Sequence, residues 1–325
     1  MGSDERYWLG FDLGGTKMMA TVFDAGFKII GSQRTKTKGC EGAKDVLDRI
    51  IKTIKDAADD AHIKAQHLGA IGIGCPGPLD LDRGIILEAP NLGWKNVTLK
   101  DTLEKEFGCP TVIANDVDAG TYGEYRFGAG QKARCVVGIF PGTGIGGACI
   151  YEGRIFRGRT GSCMEIGHVC VQPGGRVCGC GQRGCLETVA SRLAISAEAA
   201  AAAYRGEAPH LLELAGTDLS SIKSGVLAKA VAADPVIERI VRNAAQHLGG
   251  AIANVVNLLA PDVVILGGGL VEAMSDLFVG EARKTVDCRA MKSFTKSLKI
   301  VAAQLGDNAT VMGAAALAAE GKAKE

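Results

Sequence analysis

No stretch of the 325 residues offers the ~18 consecutive apolar positions that a membrane-spanning helix needs. Charge of one sign is missing too. Lys and Arg number 37 against 36 Asp and Glu, a formal net charge of +1, so nothing draws the whole chain to nucleic acid or to an anionic membrane. The opening Met1-Gly2-Ser3-Asp4-Glu5-Arg6 has no apolar h-region and reads as a short exposed lead-in rather than a secretory leader. Together these absences point to a cytoplasmic protein. No collagen period organises the 45 glycines. At roughly twice the usual share, they are expected at turns and ligand loops. Hydrophobic residues make up 47% and charged residues 22%, which excludes disorder as the main state. The length suits two ordinary domains or one large α/β unit with no need of disulfide staples. The eleven cysteines are an odd number, and Cys75, Cys109, Cys135 and Cys149 sit singly in apolar stretches, as buried thiols of a reducing compartment do.

Along the chain, Tyr7 to Asp12 is a short apolar strand, Leu13 to Lys17 a glycine turn, and Met18 to Phe23 a second strand. A third strand is expected near Lys28 to Thr35. Lys44 to Ala61 carries a helical stripe of Val46, Ile50, Ile54 and Ala58. Strands follow at Leu68 to Gly74 and Thr111 to Ala114, with a helix at Thr98 to Phe107 between them. The pattern then restarts. Arg134 to Pro141, a glycine segment at 142–147, and Ala148 to Tyr151 repeat the strand–turn–strand logic of residues 7–24, which suggests two similar domains. Leu193 to Tyr204 is an alanine-rich helix. Asp234-Pro235 opens a long helix to about Leu259, with Asp as N-cap and Pro at the first helical position, and its apolar second half predicts burial. Strands at Val263 to Leu266 and Leu298 to Ala303, and a helix at Ala309 to Ala319, complete an α/β chain with a mixed sheet in each half.

Five segments carry chemistry. In Asp12-Leu13-Gly14-Gly15-Thr16-Lys17, glycines leave backbone N–H groups open to an anion, while Thr16 adds a hydroxyl and Lys17 a charge. A carboxylate such as Asp12 beside phosphates makes sense with Mg²⁺ between them. The spacing is not that of a P-loop. Gly142-Thr143-Gly144-Ile145-Gly146-Gly147 holds more glycine than a turn requires. Either segment alone is equally an ordinary hairpin, but two in matching contexts suit one polyphosphate. Asn115-Asp116 ends an apolar strand, where a carboxylate faces the ligand side of an α/β sheet and accepts a proton from a hydroxyl. It equally suits a helix N-cap for the segment starting at Val117. Gly267, Gly268 and Gly269 after a buried strand allow close approach of a flat ring or ribose.

The fifth segment is the densest. His168, Cys178, Cys180 and Cys185 are spaced H-x₉-C-x-C-x₄-C. One imidazole and three thiolates form a closed set that suits structural Zn²⁺. A disulfide fits a reducing compartment poorly and leaves one cysteine unpaired. Glu165 and Glu187 lie at the two edges of this knuckle. With the second ring nitrogen of His168 they offer the donor and acceptor mix that a polyol needs, or they are solvated loop charges.

In this order the motifs resemble the ROK family of bacterial sugar kinases and related repressors, from Gly10 to about Ala318. The segment Glu165-Ile166-Gly167-His168 followed by Cys178, Cys180, Cys185 and Glu187 is the most specific part. The resemblance implies a ribonuclease-H-like (actin-like ATPase) α/β fold with two domains around a central cleft. Residues 1–116 with about 306–325 would form the smaller domain, and 117–305 the larger one carrying the zinc segment. It implies an ATP-dependent hexose kinase using Mg²⁺, with glucose at O6 as the leading acceptor and Asp116 as the base. Asn115, Glu165, His168 and Glu187 would bind sugar, with Gly77 and Asn91 nearby. Asp12, Gly14, Gly15, Thr16, Lys17, Gly142, Thr143 and Gly144 would hold the phosphates, and Gly267 to Gly269 the adenosine. A homodimer or homotetramer is expected. N-acetylmannosamine, fructose or allose as acceptor, polyphosphate or ADP as donor, and a non-catalytic sugar-sensing regulator are the alternatives. Two departures stand out. Cys163-Met164 replaces the small residues usual before the Glu-x-Gly-His, putting bulk beside the sugar site. The winged helix of the repressor members is not expected, because the first glycine turn begins at residue 12.

Overall fold

The computed structural model describes residues 6–38, 42–89, 92–159 and 161–322. Strand β1 (Tyr7–Leu13) turns through Gly14, Gly15 and Thr16 into β2 (Lys17–Phe23), antiparallel to it with Leu13 opposite Met18. β3 (Ile29–Lys36) extends the hairpin antiparallel to β2. α1 (Ala43–Asp60) buries the expected stripe of Val46, Ile50, Ile54 and Ala58, with Ala57 beside it. β4 (Leu68–Cys75), buried along its whole length, returns parallel to β1. Residues 79–98 hold a small antiparallel sheet that no sequence pattern announces, β5 (Leu79–Asp80), β6 (Ile85–Ala89) and β7 (Trp94–Thr98). α2 (Leu99–Phe107) leads to β8 (Thr111–Asn115), parallel to β4. α3 (Asp116–Phe127) follows without a break.

The second sheet repeats the first. β9 (Cys135–Pro141) and β10 (Ile145–Tyr151) form an antiparallel hairpin, and β11 (Arg154–Ile155) extends it. Helices α4 (Glu187–Ala190), α5 (Arg192–Tyr204), α6 (Pro209–Ala215), α7 (Ser224–Val231) and α8 (Pro235–Leu259) intervene. β12 (Val263–Leu266) then runs parallel to β9, followed by α9 (Gly268–Ala273), α10 (Ser275–Arg289) and α11 (Lys292–Thr295). β13 (Lys299–Ala302) lies parallel to β12, and α12 (Ala309–Lys322) closes the chain. The orders β3-β2-β1-β4-β8 and β11-β10-β9-β12-β13 are the same topology twice.

The chain divides into two compact units. The first holds the residues to Gln131, Ile155–Cys163 and the residues from Asp307; the second holds Lys132–Arg154 and Met164–Gly306. The first division therefore falls beyond residue 116, where the family pattern put it, because α3 belongs with α12. A Cβ on Gly123 would collide with the Ala309 carbonyl, and one on Gly313 with the Ala119 carbonyl. Only glycines let two helix backbones approach so closely.

α12 also lies directly on the first sheet. Gly10 and Gly72 are paired across β1 and β4, and a Cβ on either would run into the backbone at Val311 or Ala314. In the second unit α8 is the central helix, with Ile237, Val241, Leu248, Ile252 and Val256 fully buried. Its end departs from the expected burial, since Leu258 is 81% exposed. Asp234 departs too. Its carboxylate makes no cap bond to α8 and accepts instead from the backbone N–H of His210 (3.2 Å) and Leu211 (2.8 Å), at the start of α6. One buried acid thus ties two helix starts together.

Gly72→Ala would force α12 off the sheet. It is expected to destabilise the first unit by at least the ~1–3 kcal/mol of an overpacked core, lowering the first transition in a thermal melt. An unchanged melt would mean that α12 gives way without cost.

Candidate active site

In the first unit three parallel strands end side by side, with Asp12 opposite Gly74 and Cys75 opposite Asn115. Asp12 and Asp116 therefore flank a position that carries no side chain. Asp12 is pushed up from 3.8 to about 7, first by burial, then by the charges of Asp116 and Asp307, against the lowering effect of Arg34. Arg34 is itself paired with Asp307 at 2.7 Å. The buried Cys75 thiol is raised by burial and by the same two carboxylates, Asp116 and Asp12. The expected cap role goes to Asn115, whose side-chain oxygen accepts from the N–H of Val117 (2.9 Å) and Asp118 (3.3 Å). Asp116 is the first residue of α3, and its Oδ1 also accepts from the Val117 N–H at 2.9 Å.

The hairpin beside this pair is exposed at Gly15, Thr16 and Lys17. From beneath it is held by Thr37, which is wholly buried. The Thr37 hydroxyl donates to the Gly14 carbonyl at 2.6 Å, and its N–H donates to the Thr16 carbonyl at 2.9 Å. Thr37 carries no motif, and only its position just after β3 links it to the site.

In the second unit the loop between β9 and β10 folds on itself, the Gly142 N–H donating to the Gly144 carbonyl at 2.8 Å. Glu187, at the start of α4, reaches this loop. Its Oε2 accepts from the Ile145 N–H at 3.0 Å, and a Cβ on Gly144 would collide with it. Arg192, which the sequence reading passed over, donates its backbone N–H to the Gly142 carbonyl and its guanidinium to the Thr143 hydroxyl, both at 2.8 Å. A cation in the first turn of a helix opposes the helix dipole. That mismatch at Ser191-Arg192 is the signal that could have marked it. Arg192, Leu193, Leu219, Ser220, Lys223 and Ser224 line a pocket of about 540 Å³. Of the triple glycine, Gly269 lies near Ser224 of this pocket, whereas Gly267 is packed beneath the Phe140 ring and Ala303. Gly267 is thus a packing position rather than an open platform.

His168, Cys178, Cys180 and Cys185 bring their ligand atoms within 4.8 Å of one another. His168 Nδ1 lies 3.5 Å from Cys178 Sγ, and the sulfurs of Cys180 and Cys185 are 3.7 Å apart. A tetrahedral ion at bond lengths of ~2.3 Å to sulfur and ~2.0–2.1 Å to nitrogen requires edges of about 3.6 Å and 3.8 Å. The donor set fits. Ligation through Nδ1 leaves Nε2 as the outward donor. Glu187 Oε1 lies 3.7 Å from Cys178 Sγ, so one carboxylate touches both the cysteine cluster and the glycine loop.

Glu165 and His168 are exposed on the 3₁₀ turn at Ile166–His168. Gly77 follows β4 with a left-handed φ of 87°, packed against the Glu88 carbonyl. Asn91 lies outside the described residues. Met164 adopts a left-handed φ of 58° and packs against the core of the second unit, so its bulk is at least partly absorbed there.

Two units of one topology, each a hairpin with a third antiparallel strand and two parallel ones, define the actin-like ATPase fold. The ROK family profile matches residues 8–321, and the chain belongs to that family. It is 34% identical over 313 residues to a glucokinase of Thermotoga maritima, covering 96% of this chain and 97% of that one. A xylose repressor of Caldicellulosiruptor bescii is 28% identical over 95% of this chain and 77% of the repressor. Among solved structures, a ROK family glucokinase from Streptomyces griseus in complex with glucose and AMPPNP superposes with a TM-score of 0.83. It is 34% identical, with 97% of this chain and 99% of that chain covered.

The Asp12 shift has a definite sign. Its folded value of about 7 lies above 3.8, so ionisation costs folded-state stability. That cost is absent below pH ~4, grows between the two values and is complete above pH 7. Without divalent cations, Asp12→Asn is expected to match the parent near pH 4 and to melt several degrees higher at pH 8. A pH-independent difference would show that Asp12 is not strained.

Proposed function

We propose that the chain is an ATP-dependent hexose kinase, acting on glucose at O6. The observation that carries this reading is the pair Asp12, near the end of β1, and Asp116, just after β8, on either side of the end of β4 and beside an exposed glycine hairpin. A buried like-charge pair is costly to hold, and a divalent cation relieves the cost. Mg²⁺ arriving with ATP supplies charge neutralisation, and Asp12 is the residue proposed to face it. The hairpin N–H groups and Lys17 take the phosphates in the first unit. In the second, Gly142, Thr143 and Gly144 do so, while the pocket beside Arg192 suits the nucleoside, with Leu193 and Leu219 as apolar walls.

In the transfer, the γ-phosphoryl group leaves ADP as its bond to the sugar oxygen forms, and the hydroxyl proton passes to Asp116. An ordinary carboxylate is far too weak a base to deprotonate a free alcohol. Asp116 therefore acts by orienting the hydroxyl and by accepting the proton late, when the oxygen has become acidic. Asn115 contributes mainly as the cap that sets Asp116 at the first turn of α3. Glu165, Glu187 and the outward nitrogen of His168 give the sugar its acceptors and donor. His168, Cys178, Cys180 and Cys185 would hold Zn²⁺ with all four positions filled by the chain, which assigns it a structural role. The similarity to glucokinases supports the kinase reading. The similarity to a repressor supports a second one, a sugar sensor without catalysis, in a homodimer or homotetramer in either case. Among the described residues no helix is long and apolar enough to cross a membrane.

A panel of hexoses with MgATP, followed by coupled ADP release, separates the two readings. Turnover with glucose at the highest kcat/KM is expected, and no turnover with any hexose leaves the sensor. Asp116→Ala is expected to lower kcat by 10²-fold or more, within the ~10²–10⁴ of general-base removal. Activity within fivefold of the parent would remove Asp116 from the mechanism. Elemental analysis should give one zinc per chain. Cys180→Ser should lose most of it and raise KM for the sugar, while an active parent without zinc would refute the metal assignment.

A further inference from the structure

Thr37 stands outside every motif, yet it is wholly buried and spends all its polar atoms on the first hairpin and its support. Its hydroxyl donates to the Gly14 carbonyl and its N–H to the Thr16 carbonyl. Its own carbonyl accepts from the guanidinium of Arg49 on α1. The side of the sheet involved follows from strand alternation. Gly31, six residues earlier on β3, packs against Ala57 of α1, so Thr37 faces α1 as well. Asp12 lies on the opposite face. It is two residues from Gly10, which packs on α12, and it pairs with Gly74, which packs against Thr310.

The Gly14 carbonyl is therefore drawn toward α1. In a trans peptide the C=O of one residue and the N–H of the next point in opposite directions. Fixing the Gly14 carbonyl toward Thr37 thus turns the Gly15 N–H toward the face that carries Asp12. Glycine at 14 and 15 would otherwise allow the peptide to flip at little cost. We propose that Thr37 is a positioning residue for the phosphoryl donor. Anchored through Arg49, it locks the Gly14–Gly15 peptide in the orientation that presents an N–H to the donor's terminal phosphates. The inference rests on the kinase reading and names the element that readies its first phosphate loop.

Thr37→Val keeps the shape and the backbone N–H and removes the hydroxyl. With the full chain, kcat/KM for ATP is expected to fall about tenfold, ~1.4 kcal/mol, with KM for the hexose within twofold. Thr37→Ser should restore the ATP parameters to within twofold. Equilibrium binding of a fluorescent ATP analogue with Mg²⁺ should weaken in Thr37→Val by a similar factor. If Thr37→Val yields too little folded protein, Thr37→Cys, compared with Thr37→Ser, differs in one atom and tests the same donor. Unchanged ATP parameters, or equal losses toward both substrates, overturn the inference while leaving the kinase reading intact. A parent protein that neither binds the analogue nor phosphorylates a hexose overturns both.

Discussion

Two carboxylates that repel each other are held across a strand position with no side chain. Asp12 and Asp116 lie on either side of Gly74, and burial first, then the charge of Asp116, pushes the Asp12 carboxyl up to about 7. Such an arrangement persists only when the surrounding packing overdetermines it. Here that packing is α12, seated on Gly10 and Gly72 and locked to α3 through Gly123 and Gly313. The helix that carries no candidate site residue is thus the one that makes the site rigid, and α3, which it grips, delivers Asp116. Stability is spent where the proposed cation and phosphate would recover it.

Coupling in the second unit runs through one side chain. Glu187 touches the cysteine cluster with one oxygen and the glycine loop with the other. The cysteine cluster is therefore continuous with the loop that is proposed to hold the phosphates, and not merely a clamp on the proposed sugar residues. A carboxylate so close to a thiolate is tolerable when a dication neutralises the sulfur. The same contact makes the position of Glu187, a proposed sugar ligand, depend on the cluster.

The order of elements was readable because hydrophobic period and glycine placement agree along most of the chain. The hairpins at 7–23 and 135–151, the stripe of α1 and the Pro-initiated α8 all follow their local patterns. The cysteine spacing was legible because tetrahedral chemistry constrains both number and type of ligand. Other features were hidden for physical reasons. The strands of residues 79–98 are two to five residues long, too short to show a period. α10 spreads its apolar residues around the helix and is placed by packing on α8. Asp234 precedes a proline exactly where a cap belongs, yet its carboxylate serves a helix 25 residues earlier, which no local rule encodes. Thr37 acts on backbone groups of a distant loop, which leave no trace in side-chain identity, and Arg192 is marked in the sequence only by its charge in the first turn of α5.

The duplicated topology lets one position be compared between the two units. Asp12 lies two residues before the first loop glycine, and it faces Gly74 on the neighbouring parallel strand. Phe140 lies two residues before Gly142, and its ring packs over Gly267 at the end of β12. The register is the same: in each unit the residue two before the first loop glycine lies beside a glycine at the end of the fourth strand. In the first unit its side chain is a carboxylate raised by burial, and the space above Gly74 is taken by Thr310 of α12. In the second it is an aromatic ring that fills the space and closes the core. The sheet end of the second unit is thus apolar, and the pocket walled by Leu193 and Leu219 belongs to the same unit. One backbone plan thus places a carboxylate two residues ahead of the glycine turn in the first unit and an aromatic ring at the same place in the second.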